Sequence, residues 1–409
     1  MSVDKSLIHL SLVPSISPRT IQQLLQEFES ADQILSLTLD DIDSGKLSAD
    51  PNLLRRIVYE KGKISVDQEL ELIQENDCQV VTYSDSSYPV LLKDISDPPP
   101  VLYFKGEIPP ETTPYLSIVG TREPTDSTKE ICYKLASQSA NKGMTIVSGA
   151  TNGVDETAHR GAIEAQGKTL AIMACGLSQV HLCGNRNLIA EIMENGAVIS
   201  EFPMSTKPKA MNFVQRNRLV SGLSKDIILV ESTDRSGSLI TAHFGLEQER
   251  NVFILAGANL SSRTSLATHR LIDQGARLVE SAEEILESLP NCSVSPSQNP
   301  PDTRIDSHQF KTEDPRATNS KPKTERLDTA ITKPSQQDSK KLRTLSSQEK
   351  MVLSAIDNGD ESGVHIDQIS RVTGLPVHTI AGILTMMELQ GLVVQLPGMN
   401  FLCQSDSCT

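Results

Sequence analysis

Thr145-Ile146-Val147-Ser148-Gly149-Ala150-Thr151-Asn152-Gly153-Val154-Asp155 decides the fold. A short β-branched run stops at a serine and a glycine, small residues follow, and a helix opens that carries Ala158 and His159. An apolar strand without polar alternation is covered on both faces. A strand that turns on small residues directly into a helix begins a β-α-β unit, whose next strand lies parallel. The same pattern recurs outward along the chain. Strands are expected at 80–83, 116–119, 145–147, 169–174, 197–200, 227–230 and 252–255, with helical segments such as 127–142 and 158–166 between them. Residues 79–290 therefore read as an α/β core: an extended, Rossmann-like, doubly wound parallel sheet.

The flanks differ in kind. Residues 1–78 look helical, with Ile21, Leu24, Leu25 and Phe28 at helical spacing and Pro18 suited to a first turn. Pro14-Ser15-Ile16-Ser17 resembles a degenerate helix-hairpin-helix turn without the usual glycines, so a small helical packing module of SAM or helix-hairpin-helix type is expected. Residues 291–345 contain six prolines and the single aromatic Phe310. Such a stretch buries too little apolar surface to fold and reads as a linker. Residues 346–409 read as three helices, a hairpin and a tail, the order of a winged helix.

Charge separates these parts further. The chain carries a formal net charge of −14, a poor starting point for nucleic-acid binding. By region the net charge is −7 for 1–78, −5 for 79–290, +3 for 291–345 and −5 for 346–409. The third helix of the terminal domain has no Lys or Arg, so a protein partner suits that domain better than DNA. The core is only mildly acidic for its length and can carry a local basic patch.

Trp is absent and aromatics make up 3% of the chain, which leaves few rings for stacking. The seven cysteines are scattered without a CxxC pair, so free thiols and no metal site are expected. The start, Met1-Ser2-Val3-Asp4-Lys5, leads into no apolar signal region. No apolar run reaches membrane-spanning length. A cytoplasmic protein is expected.

Four motifs carry chemistry. Gly120-Thr121-Arg122 ends the strand at 116–119, where a doubly wound sheet binds ligands. Glycine lets backbone approach a phosphate, threonine brings a hydroxyl and arginine a planar fork. Ser148-Gly149 through Gly153 opens the next helix, with Asp155 fit to order the helix start and His159 fit for a buried structural role. It is not the dinucleotide fingerprint, so no nicotinamide cofactor is expected. Arg216-Asn217-Arg218 places two guanidinium groups on different sides of one helix; one can reach phosphate while the other holds the sheet or a carboxylate. Ser236-Gly237-Ser238 starts another helix after the strand at 227–230, as an N-cap, an anion site or both. Four such loops along one sheet edge fit an oligonucleotide better than a mononucleotide.

In order and wording these motifs resemble the DNA-processing protein A (DprA/Smf) family. The likeness runs through Ser117–Arg122, Ser148-Gly149 to His159, Gly167-Lys168-Thr169, Cys175-Gly176-Leu177, Ser200-Glu201-Phe202-Pro203, Arg216-Asn217-Arg218, Ser236 to Ala242 and Gly275-Ala276. It implies a dimeric single-stranded-DNA-binding protein that protects incoming DNA and loads RecA recombinase in natural transformation. It also implies that Arg122, Lys168, Arg216, Asn217 and Arg218 contact the DNA backbone. Gly120, Thr121, Ser148, Gly149, Gly153, Ser236, Gly237 and Ser238 would then line the phosphate loops. His181-Leu182, Phe213-Val214, Ala256-Gly257 and Ala267-Thr268-His269 depart from the family pattern.

Two other readings compete. A phosphoribohydrolase-like nucleotide-processing enzyme would carry a glutamate-bearing glycine loop, where this chain has Asp234-Arg235-Ser236-Gly237-Ser238. No nucleophile–base pair stands out, so no catalytic residue is assigned. A pure adaptor would be indifferent to loss of Arg122 and Arg216.

Overall fold

The computed structural model describes residues 4–289 and 347–403, except 15, 46, 111, 233–235, 256–265, 358–362, 390–392 and 397–399. The expected linker at 291–345 lies outside the described residues.

The amino-terminal part is helical: α1 (Lys5–Ser11), α2 (Pro18–Glu27), α3 (Ala31–Ser36), α4 (Leu39–Asp43), α5 (Pro51–Lys61) and α6 (Val66–Glu75). Ser17, Ser30, Thr38 and Ser65 each accept a hydrogen bond from a first-turn N–H, and Pro18 takes the first helical position as expected. Leu7, Ile8, Leu10, Ile21, Ile34, Leu54 and Ile57 form the buried apolar face. That face continues into the core without a break.

Glu69 of α6 fastens this part to the core. Its side chain is buried, and Oε1 accepts the Met204 N–H at 2.8 Å. Burial pushes its carboxyl pKa up. Glu69→Ala strands a buried N–H and is expected to cost about 1–3 kcal/mol in urea unfolding at pH 7. Glu69→Gln keeps an acceptor and should cost less. Because the folded pKa is raised, the native state holds the proton more tightly than the unfolded chain. Wild type should therefore gain on Glu69→Gln as pH falls from 7 toward 5. Equal losses for the two variants would refute this anchoring role.

The sheet has nine strands among the described residues: β1 (Gln79–Thr82), β2 (Val101–Gly106), β3 (Tyr115–Gly120), β4 (Thr145–Ser148), β5 (Thr169–Ile172), β6 (Gly196–Ser200), β7 (Asp226–Val230), β8 (Asn251–Leu255) and β9 (Arg277–Val279). Their order is β1-β2-β6-β5-β4-β3-β7-β8-β9. From β6 to β9 all neighbours are parallel, while β2 pairs antiparallel with both β6 and β1. The doubly wound parallel sheet is thus present, with one antiparallel edge. The chain winds from β3 outward to β6, then crosses back to β7. β3, flanked by β4 and β7, is where the strand order reverses.

Helices cover both faces: α7 (Val90–Lys93), α8 (Asp126–Asn141), α9 (Val154–Glu164), α10 (Arg186–Glu194), α11 (Ala210–Gly222), α12 (Ser238–Glu247), α13 (Leu266–Asp273) and α14 (Ala282–Ser288). Successive residues of a strand point to opposite faces. Leu116 and Ile118 of β3, with Ile228 and Val230 of β7, pack with Leu135, Ala136 and Ala158 of α8 and α9. Val119, Ile227 and Leu229 pack the other way, with Leu219, Val220 and Ala242 of α11 and α12.

The carboxyl-terminal part has α15 (Ser347–Asp357), β10 (Val364–His365), α16 (Ile366–Thr373), α17 (Val377–Leu389), β11 (Val393–Leu396) and β12 (Asn400–Cys403). Its strands pair in the order β10-β12-β11, giving the winged helix expected from the sequence. Helix α17 lies against α11 of the core.

The sulfurs of Cys175 and Cys183 lie near each other, while their Cα atoms stand 7.1 Å apart, wider than a disulfide spans. Cys78 and Cys132 are free thiols. No helix among the described residues is long and apolar enough to cross a membrane.

Candidate nucleic-acid interface

Three loops meet where the strand order reverses, at the carboxyl ends of β3, β4 and β7. Gly120 closes β3 in a space with no room for a side chain: a Cβ there would meet the Val230 carbonyl and lie 2.6 Å from Val154 Cγ2. Thr121 N–H donates to the Glu231 carbonyl at 2.9 Å, and the Thr121 carbonyl accepts from Val154 N–H at 3.1 Å. These bonds tie all three loops together. Ala150 and Glu231 hold φ values of 52° and 48°. Left-handed conformations of non-glycine residues are costly and cluster at functional sites.

Arg122 leaves this junction exposed, and its guanidinium carbon stands 5.6 Å from the centre of the Phe213 ring. Arg216 approaches the same ring at 5.9 Å. A half-buried aromatic ring thus has two cations within 6 Å of its centre.

The other arginines have inward tasks. Arg216 is 3% exposed, and its Nη1 donates to the Gly149 carbonyl at 2.6 Å and to the Ile172 carbonyl. Burial pushes its pKa down to about 10, the buried Asp155 carboxylate pulling the other way, so it stays charged at neutral pH. Gly149 is glycine because a Cβ would run into this guanidinium. Arg218 is wholly buried, with Nε 2.8 Å from Asp97 Oδ2 and Nη2 2.6 Å from Glu201 Oε2. The pair matches the expectation that one arginine holds a carboxylate, and it corrects the expectation that both face the phosphate backbone. Desolvating a guanidinium requires fixed acceptors, and both side chains have them.

Lys168 needs a second correction. It immediately precedes β5, so it is exposed at the amino-terminal edge, across the sheet from the other loops. Ser148 is a third: its hydroxyl is fully buried and donates to the Ile118 carbonyl at 2.6 Å. The helix start after Gly153 is also spoken for. Val154 and Glu156 N–H groups bond to the Thr121 and Thr151 carbonyls, and Asp155 and Glu156 fill the first turn. Carboxylates there repel an anion. Gly153 has φ 91° and no side chain because its Cβ would lie 2.6 Å from the Arg122 carbonyl. Asp155 does order the loop, accepting from Thr151 Oγ1 at 2.8 Å. His159 bonds Thr169 Oγ1 at 2.7 Å, and burial drives its pKa down to about 3, so it is a neutral structural histidine.

At the start of α12 the Leu239 and Ile240 N–H groups bond to the Ser236 and Gly237 carbonyls, but the described residues leave Gly237 uncovered. Gly237 is exposed, nothing lies within 4 Å of its Cβ position, and the first turn has no acidic residue. Ser236 and Ser238 hydroxyls bond each other at 2.6 Å. Asn217 Nδ2 holds the Gly237 carbonyl at 3.1 Å and its Oδ1 accepts from Arg216 Nε. Asn217 therefore couples α11 to this loop.

Four residues absent from the sequence-based set belong at this edge. Lys207 and Lys209 are exposed in the connection from β6 to α11, and Arg186 is exposed at the start of α10 after β5. Phe213 lies beside Arg122, and the three cations follow β5 and β6 on the same carboxyl edge of the sheet. The signal was positional: cations just after a parallel strand lie at the binding edge, and those just before it do not.

Residues 79–290 match the family described as DNA recombination-mediator protein A, and residues 336–399 match a DprA winged helix domain. Protein Smf of Synechocystis is 30% identical over 403 residues, 96% of each chain. The chain belongs to the DNA recombination-mediator protein A family. DNA processing protein DprA of Bacillus subtilis is 38% identical over 226 residues, 55% of this chain and 76% of that protein. The X-ray structure of DprA from Streptococcus pneumoniae aligns with a TM-score of 0.60 at 28% identity, over 71% of this chain and 99% of that one. Membership in the DprA family agrees with the mixed α/β core and the winged-helix domain described above.

Proposed function

We propose that the carboxyl edge of the sheet binds single-stranded DNA, and that the chain protects incoming strands and loads RecA recombinase on them during recombination. The observation that carries this reading is Arg122 beside the Phe213 ring, where the strand order reverses. A cation for the phosphate next to a ring for the base serves an unpaired nucleotide, and since every base has a π-face it reads no sequence. A paired base cannot offer that face. Lys207, Lys209 and Arg186 extend the positive edge, and the exposed Gly237 lets a further phosphate approach the start of α12. A homodimer would join two such edges and raise avidity on a longer strand.

The test is fluorescence anisotropy with labelled oligo-dT and its duplex across a salt series. Wild type should prefer the single strand. Arg122→Ala with Phe213→Ala should weaken binding at least tenfold, since stacking on one ring is worth ~1–3 kcal/mol. Both substitutions lie away from the buried ion pairs, so folding should survive. A folded protein that ignores oligo-dT at low salt would sink the reading and favour nucleotide hydrolysis.

A further inference from the structure

Helix α17 of the winged-helix domain carries Gly382 in its interior, a position where glycine weakens a helix. Its neighbours explain the choice. A Cβ on Gly382 would lie 2.8 Å from Val214 Cγ1, 3.3 Å from Met211 Sδ and 3.6 Å from Val214 Cβ. All three atoms belong to α11 of the core. Among the described residues, it is the close approach to α11 that leaves no room for a side chain here. Met211 completes the contact by packing into the apolar cluster of the winged-helix domain.

This contact flanks the proposed DNA edge. Met211 lies within one turn of Lys209 and Phe213, and Val214 within one turn of Phe213 and Arg216. The docked domain has net charge −5 over residues 346–409, and α17 has no Lys or Arg. Its seating also brings a like charge near the core: burial chiefly raises the Glu247 carboxyl of α12, and Asp97, then Asp367 of α16, add to the rise. His243 on the neighbouring turn of α12 offsets this, 3.5 Å from Glu247. Residues 290–346, a contour length on the order of 190 Å, join the two parts and do not by length confine the domain to this seat.

We propose that the Met211–Val214 strip of α11 is a docking seat for the chain's own winged-helix domain, and that the seated domain opposes single-stranded DNA at the adjacent edge. The inference rests on the single-stranded-DNA reading above. Seating and strand binding are then linked, so each weakens the other by the same factor.

Two variants of the full chain test this. Gly382→Leu forces α17 off α11 without touching the DNA edge and should raise the radius of gyration in small-angle X-ray scattering. Its affinity for oligo-dT at low salt should rise about threefold to tenfold. Val214→Cys with Gly382→Cys places two Cβ atoms within disulfide range. Mild oxidation should lock the seat and weaken oligo-dT binding, dithiothreitol should restore it, and Val214→Cys alone should show neither change. Failure of the pair to cross-link, with Gly382→Leu unchanged in size, would overturn the seat. Release or locking with no change in oligo-dT affinity would overturn the coupling. If no form binds oligo-dT, the DNA reading and the coupling fall together, and cross-linking yield still reports the seat.

Discussion

Arg218→Met should lose about 3–5 kcal/mol of unfolding free energy at pH 7, the usual cost of removing one partner from a buried ion pair. Methionine roughly replaces the volume but not the charge. Asp97 and Glu201, with side chains 3% and 4% exposed, would then face each other without the guanidinium that now touches both. The loss should depend on pH. Burial and Asp97 already raise the Glu201 carboxyl, and Arg218 is what opposes them. Without Arg218 the folded pKa of Glu201 climbs further above its unfolded value. A raised carboxyl pKa costs stability above the unfolded pKa and is relieved as the group protonates. The deficit should therefore grow from pH 5 to pH 8 in urea titrations. Adding Asp97→Asn and Glu201→Gln should recover part of it. A deficit under about 1 kcal/mol that ignores pH would show that this triad is not an uncompensated charge in waiting.

Removing Arg122, Lys207 and Lys209 together, each to alanine, should flatten the salt dependence of oligo-dT binding. Each phosphate neutralised on a single strand contributes about 0.7 to the slope of log affinity against log salt. Three fewer contacts lower the slope by about 2, so between 50 and 200 mM salt wild type should lose roughly 20-fold more affinity than the variant. All three residues are exposed, so stability should change little. Lys168→Ala is the internal comparison. On the opposite edge it should leave the slope unchanged, and a drop in slope as large as one of the three would place DNA on the wrong side of the sheet.

Most of the sheet was legible because parallel strands are buried on both faces and keep apolar interiors, as Ile146-Val147 and Ile227-Ile228-Leu229-Val230 illustrate. Two strands were missed. β2 directly follows Pro98-Pro99-Pro100 and lies on the antiparallel side of the sheet. β9 is three residues long with Arg277 and Leu278 exposed, too short for any period. The site was legible in outline only. Gly120, Gly149 and Gly153 end or follow strands as expected, yet what excludes their side chains is neighbouring backbone, the Val154 side chain and one guanidinium. Nothing local announces that Arg218 is buried, because its partner Asp97 lies far upstream and meets it only through the fold. Ser148 looked like a free hydroxyl for the same reason: its acceptor, the Ile118 carbonyl, belongs to the neighbouring strand.

Helix α11 carries four obligations along thirteen residues. Arg218 clasps two carboxylates, Arg216 pins the ends of β4 and β5, Asn217 steadies the start of α12, and Met211 with Val214 bear the winged-helix domain. A helix so engaged cannot slide or roll to suit a ligand without breaking contacts elsewhere. Phe213 is therefore held in place before any strand arrives, and a base settling on it meets a preorganised surface whose ordering was completed when the chain folded.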